Sequence, residues 1–389
     1  MKRWGQLFVV SAVFSMGVSA MQDQGGAGVA GTNLSRPAVV AGGFVYASGQ
    51  IGTDPSDPVG GSDIKTQTQR AIDRLQKVLE AAGSSLGQAA SVNVYLSKAS
   101  DFEAMNATYR ERFTDAPPTR TTVVADLPYH VLVQISAVAV QNETPRETLI
   151  PQGWMKSPRP YSYIVRTGDL VFFSGLLSRR PTDDKVISGT VQEQVKTILD
   201  NAGALLKTVG LSYRDVVAAR VYLTDETYFE GMNEVYRTYF SEEPPARATA
   251  VTPLMGPDAK VEITFVASTT PKQVIGPIVA PSLPVSTAVR VGPRVFLSGV
   301  VGNTDANARD LGAQTREVLT RTSRSLELAG LSFANVVDNT VFFTDVWQMN
   351  EVDKISSEFF KSPFPARTVF GARMAARASL IEMMMIAVK

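Results

Sequence analysis

Leu170-Val-Phe-Phe-Ser174-Gly175 is a short apolar run of strand formers that stops at Ser-Gly, and the chain writes it three times. The other copies are Phe44-Val-Tyr-Ala-Ser48-Gly49 and Val295-Phe-Leu-Ser298-Gly299, so the serines lie 126 and 124 residues apart. A second mark, Pro-x-Arg, recurs as Pro118-Thr119-Arg120, Pro245-Ala246-Arg247 and Pro365-Ala366-Arg367, at spacings of 127 and 120. Two marks in the same order in three copies make this a tandem repeat, and the 389 residues become three units of about 110–125 residues plus a leader.

Between the marks the periodicity alternates. Ile72, Leu75, Leu79 and Ala82 recur at helical spacing before Gly83, as do Val195, Ile198, Leu199, Ala202, Leu205 and Val209 before Gly210. Val318, Leu319, Thr322, Leu326 and Ala329 before Gly330 repeat the pattern. β-Branched strands follow at 92–96, 217–223 and 336–343. A second helix then carries one apolar stripe: Phe102, Met105, Tyr109 and Phe113; Phe229, Met232, Tyr236 and Phe240; or Trp347, Met349, Ile355 and Phe359. These stripes are expected to be core. Two more strands close each unit, ending at 131–140, 260–268 and 380–388.

The order β-β-α-β-α-β-β predicts an α+β unit with its helices on one face of a mixed sheet. Consecutive apolar residues at Ala137–Val140 and Phe265–Ala267 leave the other face needing burial too. Packing the units sheet to sheet supplies it. The expected units are 36–142, 158–269 and 281–389, joined by Pro-rich linkers around 141–160 and 269–284.

Composition narrows the chemistry. The chain has no Cys and one His, with 38 Lys+Arg against 37 Asp+Glu. Thiolate catalysis and Cys-based or two-His metal sites are excluded, and the near-zero charge gives no long-range pull toward nucleic acid. What remains is Arg, carboxylates, hydroxyls and backbone. Met1-Lys2-Arg3 followed by an apolar run from Leu7 to Ala20, ending Val18-Ser19-Ala20, reads as a signal peptide cleaved after Ala20. The expected location is therefore periplasmic or secreted, with no membrane partner after cleavage.

Pro160-Tyr161-Ser162, Gly168 through Ser174-Gly175, Asn233-x-x-Tyr236, Pro245-Ala-Arg247 and Val261-Glu262-Ile263 together resemble the RidA/YjgF family of imine/enamine deaminases. Ser48-Gly49-Gln50-Ile51-Gly52-x-Asp54-Pro55 is similar to that family's strand-loop signature. The resemblance covers roughly residues 36–389. It implies a chorismate-mutase-like α+β fold whose members form homotrimers with ligand sites in the subunit clefts. Three tandem RidA-type units then look like a trimer made covalent, an intrachain pseudo-trimer that is monomeric as a chain.

The resemblance also implies roles. Arg120, Arg247 and Arg367 would hold the carboxylate of a 2-imino acid, since a guanidinium matches it in two hydrogen bonds. Glu262 and Glu382, each 15 residues past its Arg, would activate water. Gln134 stands at that place in unit one and cannot take a proton. Tyr161, the Ser-Gly backbone (Ser48, Gly49, Ser174, Gly175, Ser298, Gly299) and Asn106, Asn233 and Asn350 would shape the pockets. The residues alone also allow an Arg–Glu salt bridge and helix-surface asparagines.

Unit two looks most complete, with Arg247 anchoring substrate and Glu262 activating water. The implied reaction is cofactor-free and metal-free hydrolysis of small 2-imino acids to 2-keto acids and ammonia. The alternative is a non-catalytic binder of small carboxylates.

Overall fold

The computed structural model describes residues 34–53, 62–256, 258–280 and 283–389. The signal-peptide expectation for residues 1–20 lies outside them.

Each unit has one long and one short helix. The long helices are α1 (Ile64–Ala81), α3 (Val191–Thr208) and α5 (Leu311–Leu328); the short ones are α2 (Phe102–Arg112), α4 (Phe229–Tyr239) and α6 (Met349–Phe359). Short polar residues start the long helices. Asp63 accepts from Thr66 N, Asp310 accepts from Ala313 N, and Thr190 forms a reciprocal box with Glu193. Gly83, Gly210 and Gly330 follow their ends at positive φ, as the repeat predicts.

In unit one the sheet runs Ala38–Ala41, Phe44–Ile51, Val133–Ala139, Ala89–Leu96, Thr119–Val124. All pairs are antiparallel except the last, where α2 provides the crossover that a parallel pair needs. Units two and three repeat this arrangement with edge strands added. Arg146–Leu149 pairs with Ile164–Thr167, and Gln273–Ala280 pairs with Leu283–Val291. Both added strands fall in stretches expected as linkers. Arg146–Leu149 is mostly polar, as a sheet edge allows, and Pro277 in the second strand sits where the register is irregular, so no ladder bond is lost there.

Among the described residues three apolar clusters lie between helices and sheet, one per unit, with Ile72, Leu199 and Leu319 fully buried at equivalent positions. A fourth cluster belongs to all three units. Tyr46, Phe172 and Phe296, with Tyr95, Tyr222 and Phe342, bring the opposite sheet faces together around a pseudo-threefold axis. Each such side chain contributes roughly 1.5–3 kcal/mol by burial, so an isolated unit would expose a costly face.

At one end of this core the buried Arg294 of unit three bonds Gly42 O of unit one and the Asp169 carboxylate of unit two, tying all three together. Unit three also lends Arg373-Met374 to the edge of unit two's sheet, beside Ala250 and Val251.

Phe229 and Phe359 are half-buried, and two further stripe residues depart from the expected core in telling ways. Trp347 is 66% exposed, because it lies in the turn before α6 and packs edge-on against Tyr129 at the surface. Phe102 is half-buried and faces a cleft.

Candidate functional site in the inter-unit clefts

The Arg strand of each unit docks against the Ser-Gly turn of the next. Arg120 N, Arg247 N and Arg367 N donate to Ser174 Oγ, Ser298 Oγ and Ser48 Oγ at 2.9, 2.9 and 2.8 Å. The same hydroxyls donate onward to Ser162 O, Ser286 O and Arg36 O. Their serine hydroxyls thus stitch the seams. Gly175 N and Gly299 N add 3.0 Å bonds to Arg120 O and Arg247 O.

These seams correct the expected pairing of Arg247 with Glu262. Glu262 belongs with Arg120, Glu382 with Arg247, and Gln134 with Arg367. Unit two is therefore not a self-contained set; it gives Glu262 to one cleft and Arg247 to another. The separation of 15 residues is real in sequence, but the two side chains serve opposite edges of the unit.

In the cleft between units one and two, Arg120, Glu262, Tyr161, Thr122 and Gly175 line a cavity of about 70 Å³. Arg120 lies over the rings of Tyr109 (4.9 Å), Tyr161 (5.8 Å) and Phe102 (5.9 Å), which favours its charge from the face side. Arg120 is 4% exposed and its Nη1 has no hydrogen-bond partner among the described residues. Neither has either amide atom of the buried Asn106. An unmade buried hydrogen bond is expensive, so the unpaired Arg120 Nη1 on the cavity wall suits a polar ligand, and Asn106 stands at the helix position from which Asn233 bonds Arg247 in the second cleft.

Burial pushes the Glu262 carboxyl up to about 8, while Arg120, Thr122 N and Arg179 pull it back. The carboxylate lies so close to Gly175 that a Cβ there would overlap it. Glycine at 175 is thus required by the acid, not by a turn.

The second cleft, between units two and three, has the same plan with Arg247 more fully held. Its Nη2 donates to Asn233 Oδ1 at 2.7 Å, and the guanidinium lies 4.8 Å over Tyr236. Glu382 accepts from Thr249 N at 3.2 Å and is likewise pushed up to about 8 by burial. Val285-Ser286 stands where the first cleft has Tyr161-Ser162. Ser286 there donates to Pro244 O at 2.5 Å, inside the seam.

The third cleft, between units three and one, is rewired. Arg367 Nη1 bonds Asp353 Oδ1 at 2.5 Å, both side chains being buried. Gln134 Nε2 donates to Val369 O at 2.8 Å. The carboxylate has in effect moved from the strand to the helix, where it neutralises the Arg.

Asp353 occupies the place expected for Asn350, which is exposed. The signal was in the spacing: Asn106, Asn233 and Asp353 all lie 14 residues before their Arg, and Asn350 lies 17. The next turn of the helix brings Tyr109, Tyr236 and Ser356, so the third Arg also lacks its ring.

Sequence reasoning also missed Trp154, Arg159, Arg179 and Asp184, which line the first cavity from the 150s stretch and the loop after Gly175. That loop has no counterpart of matching composition in the other units, so the repeat could not reveal it.

The family model described as Endoribonuclease L-PSP matches the chain three times, over residues 27–141, 154–269 and 278–389. Single units are similar to curated proteins. One is a "RutC family protein" of Sulfurisphaera tokodaii, 33% identical over 122 residues, covering 31% of this chain and 98% of that protein. Another is the 2-iminobutanoate/2-iminopropanoate deaminase of Homo sapiens, 33% identical over 124 residues, covering 32% and 86%.

A solved chorismatase structure matches on a larger scale, covering 78% of this chain and 93% of its own, with a TM-score of 0.56 at 14% identity. That likeness concerns the fold alone. With three matches spanning most of its length, the chain belongs to the L-PSP family, the RidA/YjgF group, and carries three of its units fused in tandem around one core.

Proposed function

We propose that the cleft between units one and two hydrolyses small 2-imino acids to 2-keto acids and ammonia. The observation that carries this reading is the pairing, in one cavity, of an incompletely bonded Arg120 with a Glu262 carboxyl poised near neutrality. Arg120 and Asn106 take the substrate carboxylate and satisfy their unmade hydrogen bonds.

Glu262, protonated at neutral pH, gives its proton to the imine nitrogen. The resulting carboxylate then takes a proton from water as the oxygen adds to the C=N carbon. A second transfer from Glu262 to nitrogen makes it a leaving group, and ammonia departs as the C–N bond breaks and C=O forms, the hydroxyl proton returning to the Glu262 carboxylate. A group titrating near the working pH serves both directions. Positioning supplies much of the remainder, since the substrate is held with its C=N carbon near the acid.

The Arg247–Glu382 cleft has the parts for the same reaction, whereas the Arg367 cleft has its Arg neutralised and a Gln for the acid. The test follows keto-acid and ammonia release from freshly generated 2-iminopropanoate and 2-iminobutanoate, with semicarbazide trapping of residual imine. Wild type should outpace the spontaneous reaction, and Glu262→Gln combined with Glu382→Gln should not. Equal rates for wild type and the double variant would overturn the reading and leave a non-catalytic carboxylate binder.

We also propose that the chain works as a monomer, exported by its leader. The shared core within one chain supports the first, with gel filtration as its check. The composition of residues 1–20 supports the second, and N-terminal sequencing of the exported protein checks it.

A further inference from the structure

The first cleft holds more positive charge than one carboxylate needs. Besides Arg120, its wall includes Arg159, Arg179 and Arg180 against Asp184 and Glu262. Arg180 is turned outward and is paired in two bonds with Asp183. Arg159 and Arg179, by contrast, converge on a single acceptor. Arg159 Nη1 lies 2.9 Å and Arg179 Nη1 3.1 Å from the same Asp184 Oδ2.

These side chains are mostly buried, at 28% and 18% exposure for the arginines and 14% for the aspartate. Their backbones are fixed. Arg179 O accepts from Asn201 Nδ2 at 2.8 Å, Arg159 N donates to Ser157 Oγ, and Arg159 O accepts from Tyr161 N.

Counting the cleft gives three cations (Arg120, Arg159, Arg179) against Asp184, with Glu262 largely protonated at pH 7. The excess is two positive charges. A ligand with one carboxylate would leave one guanidinium short of a counter-charge inside a partly buried site, which is costly.

Phe102 lies beside both cationic ends, 5.9 Å from Arg120 and 6.0 Å from Arg159, and Trp154, Tyr161 and Tyr163 extend this apolar lining, which suits a short carbon chain. The roughly 70 Å³ would take about five to seven waters at ~10–15 Å³ each, and covalently joined atoms pack closer than waters. A four- or five-carbon acid fits that space. The loop of unit three that corresponds to the Arg179–Asp184 segment, Gly302-Asn-Thr-Asp-Ala-Asn307, contains no Arg, so the second anchor belongs to the first cleft.

We propose that this cleft selects dicarboxylic 2-imino acids, with the α-carboxylate on Arg120 and the distal carboxylate on Arg159 and Arg179. This rests on the deaminase reading for the reaction, though not for the binding.

The test compares kcat/KM for imines generated from aspartate and glutamate with those from alanine and 2-aminobutyrate. Wild type should favour the dicarboxylic imines about tenfold or more, the worth of one charge-assisted hydrogen bond. Arg159→Gln and Arg179→Gln should each collapse that ratio, and Arg159→Lys should retain part of it. A wild-type ratio at or below one would overturn the proposal while leaving the deaminase reading intact.

If no imine is turned over faster than its spontaneous rate, the deaminase reading fails instead. Calorimetric titration of the full chain with succinate and 2-oxoglutarate against butyrate and 2-oxobutyrate then decides the anion site. Tighter dicarboxylate binding that is lost in Arg159→Gln sustains it, and equal affinities overturn it.

Discussion

The first and third clefts start from the same strands, the same Ser-Gly stitch and the same Pro-x-Arg, and end with opposite electrostatics. In the first, the buried Arg120 and Asn106 both carry unmade hydrogen bonds, and Glu262 is held near its titration point. In the third, Arg367 is locked to Asp353, and Gln134 spends its amide on Val369 O. Two residue changes, Asn to Asp on the helix and Glu to Gln on the strand, give the third Arg a carboxylate counter-charge that the first takes from no helix residue, although Arg367 Nη2 still has no hydrogen-bond partner among the described residues. The backbone scaffold is common to both clefts, and the side chains on it, including Ser356 where the first has Tyr109, set their different electrostatics.

The strongest way to break the comparison is at the acid. In a Glu382→Gln background, which removes the acid of the second cleft, Glu262→Gln should lower kcat/KM for the preferred imine by about 10²-fold or more, since a positioned acid/base is lost. Steady-state rates measured beside Gln134→Leu, which touches only the third cleft, check this. A Gln134→Leu loss as large as that of Glu262→Gln would erase the distinction.

Next in size is the cost of unpairing a buried charge. Asp353→Ala leaves Arg367 uncompensated and should destabilise the protein by about 3–5 kcal/mol. Asn106→Ala breaks no hydrogen bond and should stay within about 1 kcal/mol of wild type. Urea unfolding of the two variants side by side would show whether Asp353 is a structural partner of its Arg and Asn106 is not.

A pH scan sharpens the comparison further. Glu262 and Glu382 are raised to about 8 and Asp338 to about 6, all by burial. A raised carboxyl pKa means that the folded state binds the proton more tightly than the unfolded chain. Its stabilisation is complete below the unfolded value near 4 and is lost as pH rises through 6 for Asp338 and 8 for the glutamates. Tm should therefore fall between pH 5 and pH 9, and the Glu262→Gln/Glu382→Gln double variant should flatten the fall above pH 6. A Tm that rises across that range would contradict the buried, uncharged acids.

The smallest effect is expected at the rim. Arg373 and Glu226 are both more than half exposed, and breaking their bridge should change stability by no more than about 1 kcal/mol. Thermal melts of Arg373→Ala and wild type should nearly superimpose.

Much of this molecule was legible early. The Ser-Gly and Pro-x-Arg marks predicted the units, and the alternating apolar periods predicted their strands and helices. The 14-residue spacing that reveals Asp353 was also present, but chemical likeness drew the expectation to Asn350 instead. Edge strands at Arg146–Leu149 and Gln273–Ala280 were hidden because polar, Pro-containing segments read as linkers unless a neighbouring sheet edge is known. The cationic wall of Arg159 and Arg179 was hidden because it occurs once and belongs to loops.

By itself the sequence determined that there are three units, what each is built from, and which residue types could carry chemistry. Local periodicity and spacing encode those properties within one unit. Only the tertiary structure decided which Arg meets which acid, because the partners Arg120 and Glu262, Arg247 and Glu382, and Arg367 and Gln134 each lie more than 100 residues apart on different units. The cause is the unsatisfied sheet face: burying three of them in one core rotates each unit against the next, and that rotation hands Glu262 to Arg120 and leaves Arg247 to Glu382.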